Sequence, residues 1–356
     1  MFGRLLFWIA ILSIVGMFFT VTAQELPTCT ITVSHEQSIQ KAIDRAPDGA
    51  VICLGMGEWR ENITITKNLT LRGVDANTSI IRGKVEKLPV VHVNSPLGGR
   101  TIQVVIEQVT VTRALGPKAN GVVIDGVAQA TITNCTIKRN QATGIYVANS
   151  AKAIIQNCSI EENTWAGIWV WHSAQADITD CKIENNKHDG IYVWCSAQAY
   201  IVDCVVKEND GDGIYILDSA QAKISGTLVQ DNEWDGIDIW GSAKATIQDC
   251  IIQGHDDGIW IWSNAQAIIE GSIIKENLRG ICMRNSAQVD IRENQVISNK
   301  TYGVIIGETP FNGYVTGSLN IVPGAFEAYG NAEAAVYPNE LAFLMTKEGG
   351  TLDQRY

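Results

Sequence analysis

From Gly121 to Gly303 the chain alternates short apolar bursts with polar turns on a fixed beat. Glycines at 121, 144, 167, 190, 213, 236, 258, 280 and 303 each open a Gly-Ile or Gly-Val segment, at intervals of 23, 23, 23, 23, 23, 22, 22 and 23 residues. One unit, GIYVWCSAQAYIVDCVVKENDGD from Gly190, shows the internal pattern. Gly-Ile-Tyr-Val comes first, then an Ile-centred run after Ser-Ala-Gln-Ala, then an apolar pair led by Cys, and the unit closes on an Asn such as Asn163, Asn186 or Asn209. No continuous 3.6-residue period runs through these units, so they are not helices; three short β-type segments separated by turn residues fit each of them.

Three strands and three turns per unit describe one rung of a solenoid whose equivalent positions stack at the strand spacing of about 4.8 Å. The pattern therefore predicts an all-β parallel β-helix. Side chains alternate along a strand, so Ile168 and Val170, Ile191 and Val193, and Ile214 and Ile216 face the core. The residues between and after them point outward. Tyr146, Trp169, Tyr192, Tyr215 and Trp260 then share one column, and Trp171, Trp194, Trp240 and Trp262 share the next. The Ile columns already supply the buried apolar surface, so an outward stripe of rings marks a binding face, and these residues are the predicted glycan-binding set.

The repeat, Gly-Ile-x-Val followed by Ile-x-Asn/Asp and a closing Asn, resembles right-handed parallel β-helix proteins of the pectin-lyase-like superfamily, especially NosD-like exported proteins and the carbohydrate-binding and sugar-hydrolase repeat domain. The segment SIQKAIDRAPDGAVICLGMGEWRENITITKNLTLRG, Ser38 to Gly73, is similar to that group's N-terminal capping helix and first rungs. The resemblance covers residues 30–320 and implies a right-handed single-stranded solenoid. That superfamily holds lyases, hydrolases, epimerases, binding proteins and accessory factors, so fold alone selects no activity. The expected organisation is a signal peptide over 1–23, the cap and first rungs over 24–118, eight repeats of 22–23 residues over 119–307, and final irregular rungs with a C-terminal cap over 308–356. A short amphipathic helix from Ile39 to Ala46 is expected to cover the open apolar end of the coil.

Arg4, the apolar run Leu5 to Phe19 and the small residues Val21-Thr22-Ala23 have the form of a cleaved signal peptide, and the run is shorter than the ~20 residues of a membrane span. The expected destination is secreted, periplasmic or cell-surface. The 356-residue chain carries a formal charge of -11 with no cluster of Lys and Arg, which excludes nucleic acid as a partner. Cys135, Cys158, Cys181, Cys204 and Cys250 share one repeat position. Stacked about 4.8 Å apart, they stand wider than the ~3.8 Å Cβ separation of a disulfide, so a ladder of buried free thiols is predicted. Cys29 and Cys53, in the cap of an exported chain, either pair or stay free. The closing asparagines 140, 163, 186, 209, 232, 277 and 299 read as a hydrogen-bonded turn ladder.

Asp189, Asp212, Asp235 and Asp257 each precede a repeat glycine, with Asp238 nearby. An exposed Asp-Gly turn tolerates such a column, because like charges a rung apart repel by only about 1 kcal/mol in water. The functional alternative is a Ca²⁺ or cationic-group site at the margin of the aromatic face. That margin predicts neutral glycans as ligands without metal and uronans only with Ca²⁺. The segment WDGIDIWGSAKATIQDCIIQGHDDGI is similar to the polygalacturonase pattern, an Asp-Gly followed 21 and 22 residues later by an Asp-Asp pair. The similarity implies Asp235, Asp256 and Asp257 as the carboxylates of an inverting hydrolase. Glu233-Trp234, Leu278-Arg279-Gly280 and Ile305-Ile306-Gly307 depart from that family's Asn-Thr, Gly-His-Gly and Arg-x-Lys. Arg279 and Arg284 are the bases beside the stripe that a lyase or epimerase would use. His172, Cys195 and Asp218 share a turn position on successive rungs, but the outer two stand about 9.6 Å apart, too far for one metal with ligands at about 2.0–2.3 Å. The copper chemistry implied by the NosD-like resemblance is therefore not predicted from these residues. The preferred reading is polysaccharide binding. The alternatives are a polysaccharide hydrolase, lyase or epimerase, and a structural or accessory protein that forms homo-oligomers through the stripe.

Overall fold

The computed structural model describes residues 27–306 and the strands Tyr314–Ser318 and Ala334–Tyr337. The expected signal peptide and most of the expected C-terminal cap lie outside the described residues. The chain coils as a parallel β-solenoid with sheets of 13, 12 and 11 strands. The Gly-Ile-x-Val segments build the 12-stranded sheet, where Ile168, Ile191 and Ile214 pair in register. The runs after Ser-Ala-Gln-Ala build the 13-stranded sheet, with Ile178, Ile201 and Ile224 in register. The segments after the cysteines build the 11-stranded sheet, with Ile160, Ile183 and Val206 in register. These columns are fully buried and form one continuous core.

The cap helix is Ile39–Arg45. Ser38 caps it by accepting the Lys41 N–H, and the Glu61 carboxylate takes the Ser38 hydroxyl and the N–H groups of Ile39 and Gln40, so the first turn's free donors are satisfied. Ile39 and Ile43 bury against the end of the coil. Cys29 and Cys53 form a disulfide in this cap. Each turn between sheets needs one left-handed residue per rung. At the turn leaving the 12-stranded sheet these are Asn149, His172, Cys195, Asp218, Gly241, Ser263 and Asn285, all at positive φ. His172, Cys195 and Asp218 thus share a turn position for a backbone reason.

The closing asparagines form the expected ladder. Asn163 Nδ2 donates to Asn186 Oδ1 at 2.9 Å, Asn186 to Asn209 at 2.9 Å, and Asn209 to Asn232 at 2.8 Å. His255 takes the next place. Its Nε2 lies 3.1 Å from Asn232 Nδ2 and its Nδ1 lies 3.1 Å from Asn277 Oδ1, so a neutral ring protonated on Nδ1 continues the chain of donors and acceptors. The five repeat cysteines are buried and free, and Thr227 and Ser272 fill gaps in their column as small hydroxyls. Hydrogen bonding with the neighbouring thiol pushes Cys158 and Cys181 up to about 12, and burial pushes Cys250 up to about 11. Thiolate, the reactive form, is thus suppressed. All five are expected to resist a thiol reagent in the native state and to react after denaturation without reductant, while the partly exposed Cys195 reacts first. Mass-mapped disulfides among the five would overturn this assignment.

Candidate functional site

The outer face of the 12-stranded sheet carries the aromatic stripe. Register places Tyr146, Trp169, Tyr192 and Tyr215 side by side, followed by Asp238 and Trp260. Two residues further along each rung stand Trp171, Trp194, Leu217, Trp240 and Trp262, then Arg284. The predicted rings do share one face, with Asp238 and Leu217 interrupting their columns. They pack on one another instead of standing free. Ring centroids lie 4.9 Å apart for Tyr146 and Trp169, 5.6 Å for Trp169 and Tyr192, and 5.1 Å for Tyr192 and Tyr215. Tyr192 is buried by its neighbours, whereas Trp240 and Trp262 remain exposed. Trp194 Nε1 donates to Asp218 at 2.5 Å. The indole N–H groups of Trp169, Trp171 and Trp260 find no acceptor among the described residues, and shielded donors of this kind favour a ligand that supplies oxygen.

A second aromatic row escaped the reading of the sequence. Two residues before the repeat glycines stand Trp165, His188, Gly211 and Trp234. Trp165 stacks on His188 with centroids 4.2 Å apart, and the His188 ring reaches across Gly211 to within 6.3 Å of Trp234. At 55% and 39% exposure, Trp234 and Trp165 are the most open rings of the face. Gly211 has to lack a side chain, since a Cβ there would sit 2.5 Å from Asp189 Oδ1. The signal was a shared repeat position, but polar residues interleaved with the two tryptophans hid it.

Between this rim and the stripe runs the column Asp189, Asp212, Asp235, Asp257 and Arg279. The expected exposed Asp-Gly turn is corrected here, because all four aspartates are buried, Asp189 and Asp257 completely. The Oδ1 atoms of Asp189, Asp212 and Asp235 each accept the backbone N–H of the next aspartate at 2.9 Å. This ladder is what draws the carboxylates under the surface. At its far end Arg279 donates to both oxygens of Asp257, at 2.5 and 2.7 Å, with its guanidinium 6.0 Å from the Trp260 ring. Arg284 lies 5.1 Å from the same ring. At the near end His188 Nδ1 stands 2.9 Å from Asp189 Oδ2, off the angle of a hydrogen bond, and this contact raises the His188 pKa. Burial and then mutual repulsion push the carboxyls up, Asp212 well above its ordinary value, Asp235 to about 7 and Asp238 to about 8. Burial takes Asp257 to about 6, against the pull of Arg279.

Of the hydrolase trio, Asp235 and Asp257 are brought together in the ladder. Asp256 is exposed, with its N–H on the Trp234 carbonyl. For the metal reading, Asp189, Asp212, Asp235 and Asp257 do share a column, but one or both oxygens of each are already engaged. Among the described residues no three His, Cys, Asp or Glu side chains gather to hold a metal ion. A shallow groove on the outer face of the 13-stranded sheet, lined by Gln198, Tyr200, Gln221, Lys223 and Lys244, is a separate surface without buried acids.

Residues 120–266 and 166–319 match the family model described as right handed beta helix region, together more than half of the chain, and the protein belongs to that family. No curated protein matches it. Among solved structures it is similar to the A-module of Azotobacter vinelandii mannuronan C-5 epimerase AlgE4, with 16% identity and a TM-score of 0.72 over 87% of this chain and 95% of that one. The catalytic domain of a GH87 alpha-1,3-glucanase in complex with tetrasaccharides aligns at 13% identity and a TM-score of 0.61, covering 93% of this chain and 70% of that one. PfbA, a surface adhesin of Streptococcus pneumoniae, aligns at 11% identity and a TM-score of 0.59, covering 83% of this chain and 87% of that one. At these identities the likeness is one of fold, shared by carbohydrate-active enzymes and an adhesin.

Proposed function

We propose that this protein is exported and binds polysaccharide along the outer face of the 12-stranded sheet. The observation that carries the reading is the aromatic band itself, six rungs from Tyr146 to Trp262, edged by exposed tryptophans and holding three indole donors without acceptors. Rings offer large apolar area to the C–H faces of sugars at little entropic cost, and the flanking carboxyls exchange hydrogen bonds with hydroxyls. The named substrates of the epimerase and the glucanase support a glycan partner. Export is supported by the form of the N-terminal segment and by the Cys29–Cys53 disulfide.

Changing Trp165, Trp234, Trp240 and Trp262 together to Ala is expected to weaken binding to a responsive polysaccharide by about 100-fold, roughly 2.7 kcal/mol, and to leave a β-type circular dichroism spectrum. Unchanged binding would overturn the reading. A shift from oligomer to monomer in sedimentation, with glycan binding intact, would make the band a subunit interface.

A second reading, acid catalysis on the bound glycan, is favoured by Asp238. It lies half-buried in the stripe and is pushed up to about 8, so it keeps its proton at neutral pH. Release of new reducing ends by the unaltered protein, lost in Asp238→Asn, is the expected sign of this chemistry, and absence of turnover leaves a binding protein.

A further inference from the structure

We infer that a second copy of this chain docks on the outer face of the 11-stranded sheet, in a two-fold pair whose solenoids run parallel and whose ladders of Val205, Leu228, Ile251 and Ile273 pack on one another. The inference is independent of polysaccharide binding, because the aromatic band lies on another sheet and stays open in such a pair.

One outward column of that sheet changes character midway. Register stacks Thr110, Thr136, Ser159, Lys182, Val205, Leu228, Ile251 and Ile273 on it. The first four are polar and the last four aliphatic, with Ile251 at 38% exposure. No longer run of adjacent outward aliphatics exists among the described residues. On the 13-stranded sheet, Asp177, Tyr200, Lys223 and Thr246 separate the exposed Ile154 from Ile268. The next residues along, Val206, Val229, Ile252 and Ile274, point inward and fill the core, so the outward four pack nothing inside the chain. Their surroundings are cleared as well. The left-handed residue two places before the column is Asn134, Asn157, Asp180 or Asp203 on earlier rungs, but Gly226 before Leu228 and Gly271 before Ile273. After Gln253 stands Gly254, where other rungs have Glu162, Asn185 and Glu208. A flat aliphatic surface with these side chains missing admits another sheet closely, and it holds no ring with which to stack a sugar.

Charge on the two flanks identifies the occupant and its direction. Two residues before the ladder stand the exposed Asp203 and Asp249, and two residues after it stand Lys207, Gln230, Gln253 and Lys275. A two-fold axis along the column sets each flank against the opposite flank of the other copy at the same rung. Asp203 then meets Lys207 of the partner subunit, and Asp249 meets Gln253 of the partner subunit. An axis across the column, which runs the copies antiparallel, sets Lys207 against Lys275 of the partner subunit instead. One rung before the ladder, the parallel pair brings Asp180 to Glu184 of the partner subunit, a carboxylate that Lys182 and Lys207 hold at 7% exposure. Lys207 also bridges Glu208 within its own chain, so its contact with Asp203 extends a network; the aliphatic ladder carries the affinity and the charges set the direction. Apolar ladder, acidic flank and basic flank are all present on this one face, which makes it complementary to itself.

The test is sedimentation velocity of the purified protein across a concentration series, and a dimer with a dissociation constant on the order of 10 µM is expected from a face of this size. Leu228→Thr/Ile251→Thr, which repeats the residue found at Thr110 and Thr136, should weaken the dimer at least about tenfold. Leu228→Lys/Ile251→Lys, which repeats the residue found at Lys182, should leave only monomer. Both should keep the parent's circular dichroism spectrum, since earlier rungs carry the same residues on this column. In a Cys195→Ser background, which removes the partly exposed thiol, Leu228→Cys should cross-link to its own copy on oxidation, because a parallel pair sets position 228 against position 228. Changing Trp165, Trp234, Trp240 and Trp262 to Ala should leave the dimer intact. A parent that stays monomeric up to about 200 µM, or a dimer that survives the lysine variant, overturns the inference. A dimer that Leu228→Cys retains without self-linking overturns the parallel arrangement. Loss of the dimer in the tryptophan variant alone overturns the inference in favour of an interface through the aromatic band.

Discussion

Thermal stability is expected to fall by roughly 5 °C or more between about pH 6.5 and pH 8.5, and Asp238→Asn is expected to raise the melting temperature at the upper end and flatten the slope. The cause is the column of buried acids. Asp235 and Asp238 hold their protons to about 7 and about 8 in the folded chain, and Asp212 is raised as well, whereas each would titrate near 3.8 when unfolded. Groups raised by folding contribute stability that is complete below the unfolded value and is lost as pH climbs through the folded one. His188, raised by Asp189, acts in the same direction. Across this window the folded state binds more protons than the unfolded state, so stability must drop with rising pH. Shared protons among neighbours make the loss smaller than a sum of independent shifts, and about 2 kcal/mol is a reasonable scale. A pH-independent melting temperature, or an Asp238→Asn protein less stable than the parent at pH 8, would show that these carboxyls are not held under strain. Such strain is the usual cost of a surface kept ready for a ligand.

Replacing Asn209 with Leu is expected to cost on the order of 4 kcal/mol, although leucine has the same number of side-chain heavy atoms and the same branching at Cγ. Asn209 Nδ2 donates to Asn232 Oδ1 at 2.8 Å and to the Ile183 carbonyl at 3.3 Å, and its Oδ1 accepts the Asn186 N–H at 3.1 Å and Asn186 Nδ2 at 2.9 Å. Every one of those partners is buried, so a leucine would strand donors above and acceptors below. His255→Asn should be close to neutral at pH 7, because it restores the repeated residue. Its effect lies in acid. Burial lowers His255 to about 4 from 6.5, so its contribution is present above pH 6.5 and is lost as pH falls toward 4. The parent should therefore lose up to about 3 kcal/mol over that range that His255→Asn keeps. Denaturant melts at two pH values measure both effects, and an Asn209→Leu protein with an unchanged midpoint would remove the ladder from the list of stabilising elements.

The coil, its inward Ile columns, the thiol ladder and the asparagine ladder were all legible in the repeat. In a solenoid, residues one period apart are stacked neighbours, so identity along the sequence translates directly into contact in space. The same logic put Tyr146, Trp169 and Trp262 on one outer face and explains why Ile191 and Trp169, on adjoining rungs, face opposite ways.

What period alone could not decide was how side chains settle across a turn. Asp189, Asp212, Asp235 and Asp257 read as exposed because Asp-Gly is ordinary turn chemistry. The first three are buried with Oδ1 on the next rung's N–H, and Asp257 with both oxygens on Arg279, contacts that depend on the path of the turn. Trp165 and Trp234 join His188 as a rim with no side chain at Gly211 between His188 and Trp234, and Asp256 faces outward because it takes the next place in that row, stacked on Trp234. The pairing of Cys29 with Cys53 likewise awaited the fold of the cap. Sequence by itself thus determined which residues stack, since stacking follows from period. Tertiary structure decided which of them are buried, charged and open to a ligand, since those properties depend on packing between columns that the period does not relate.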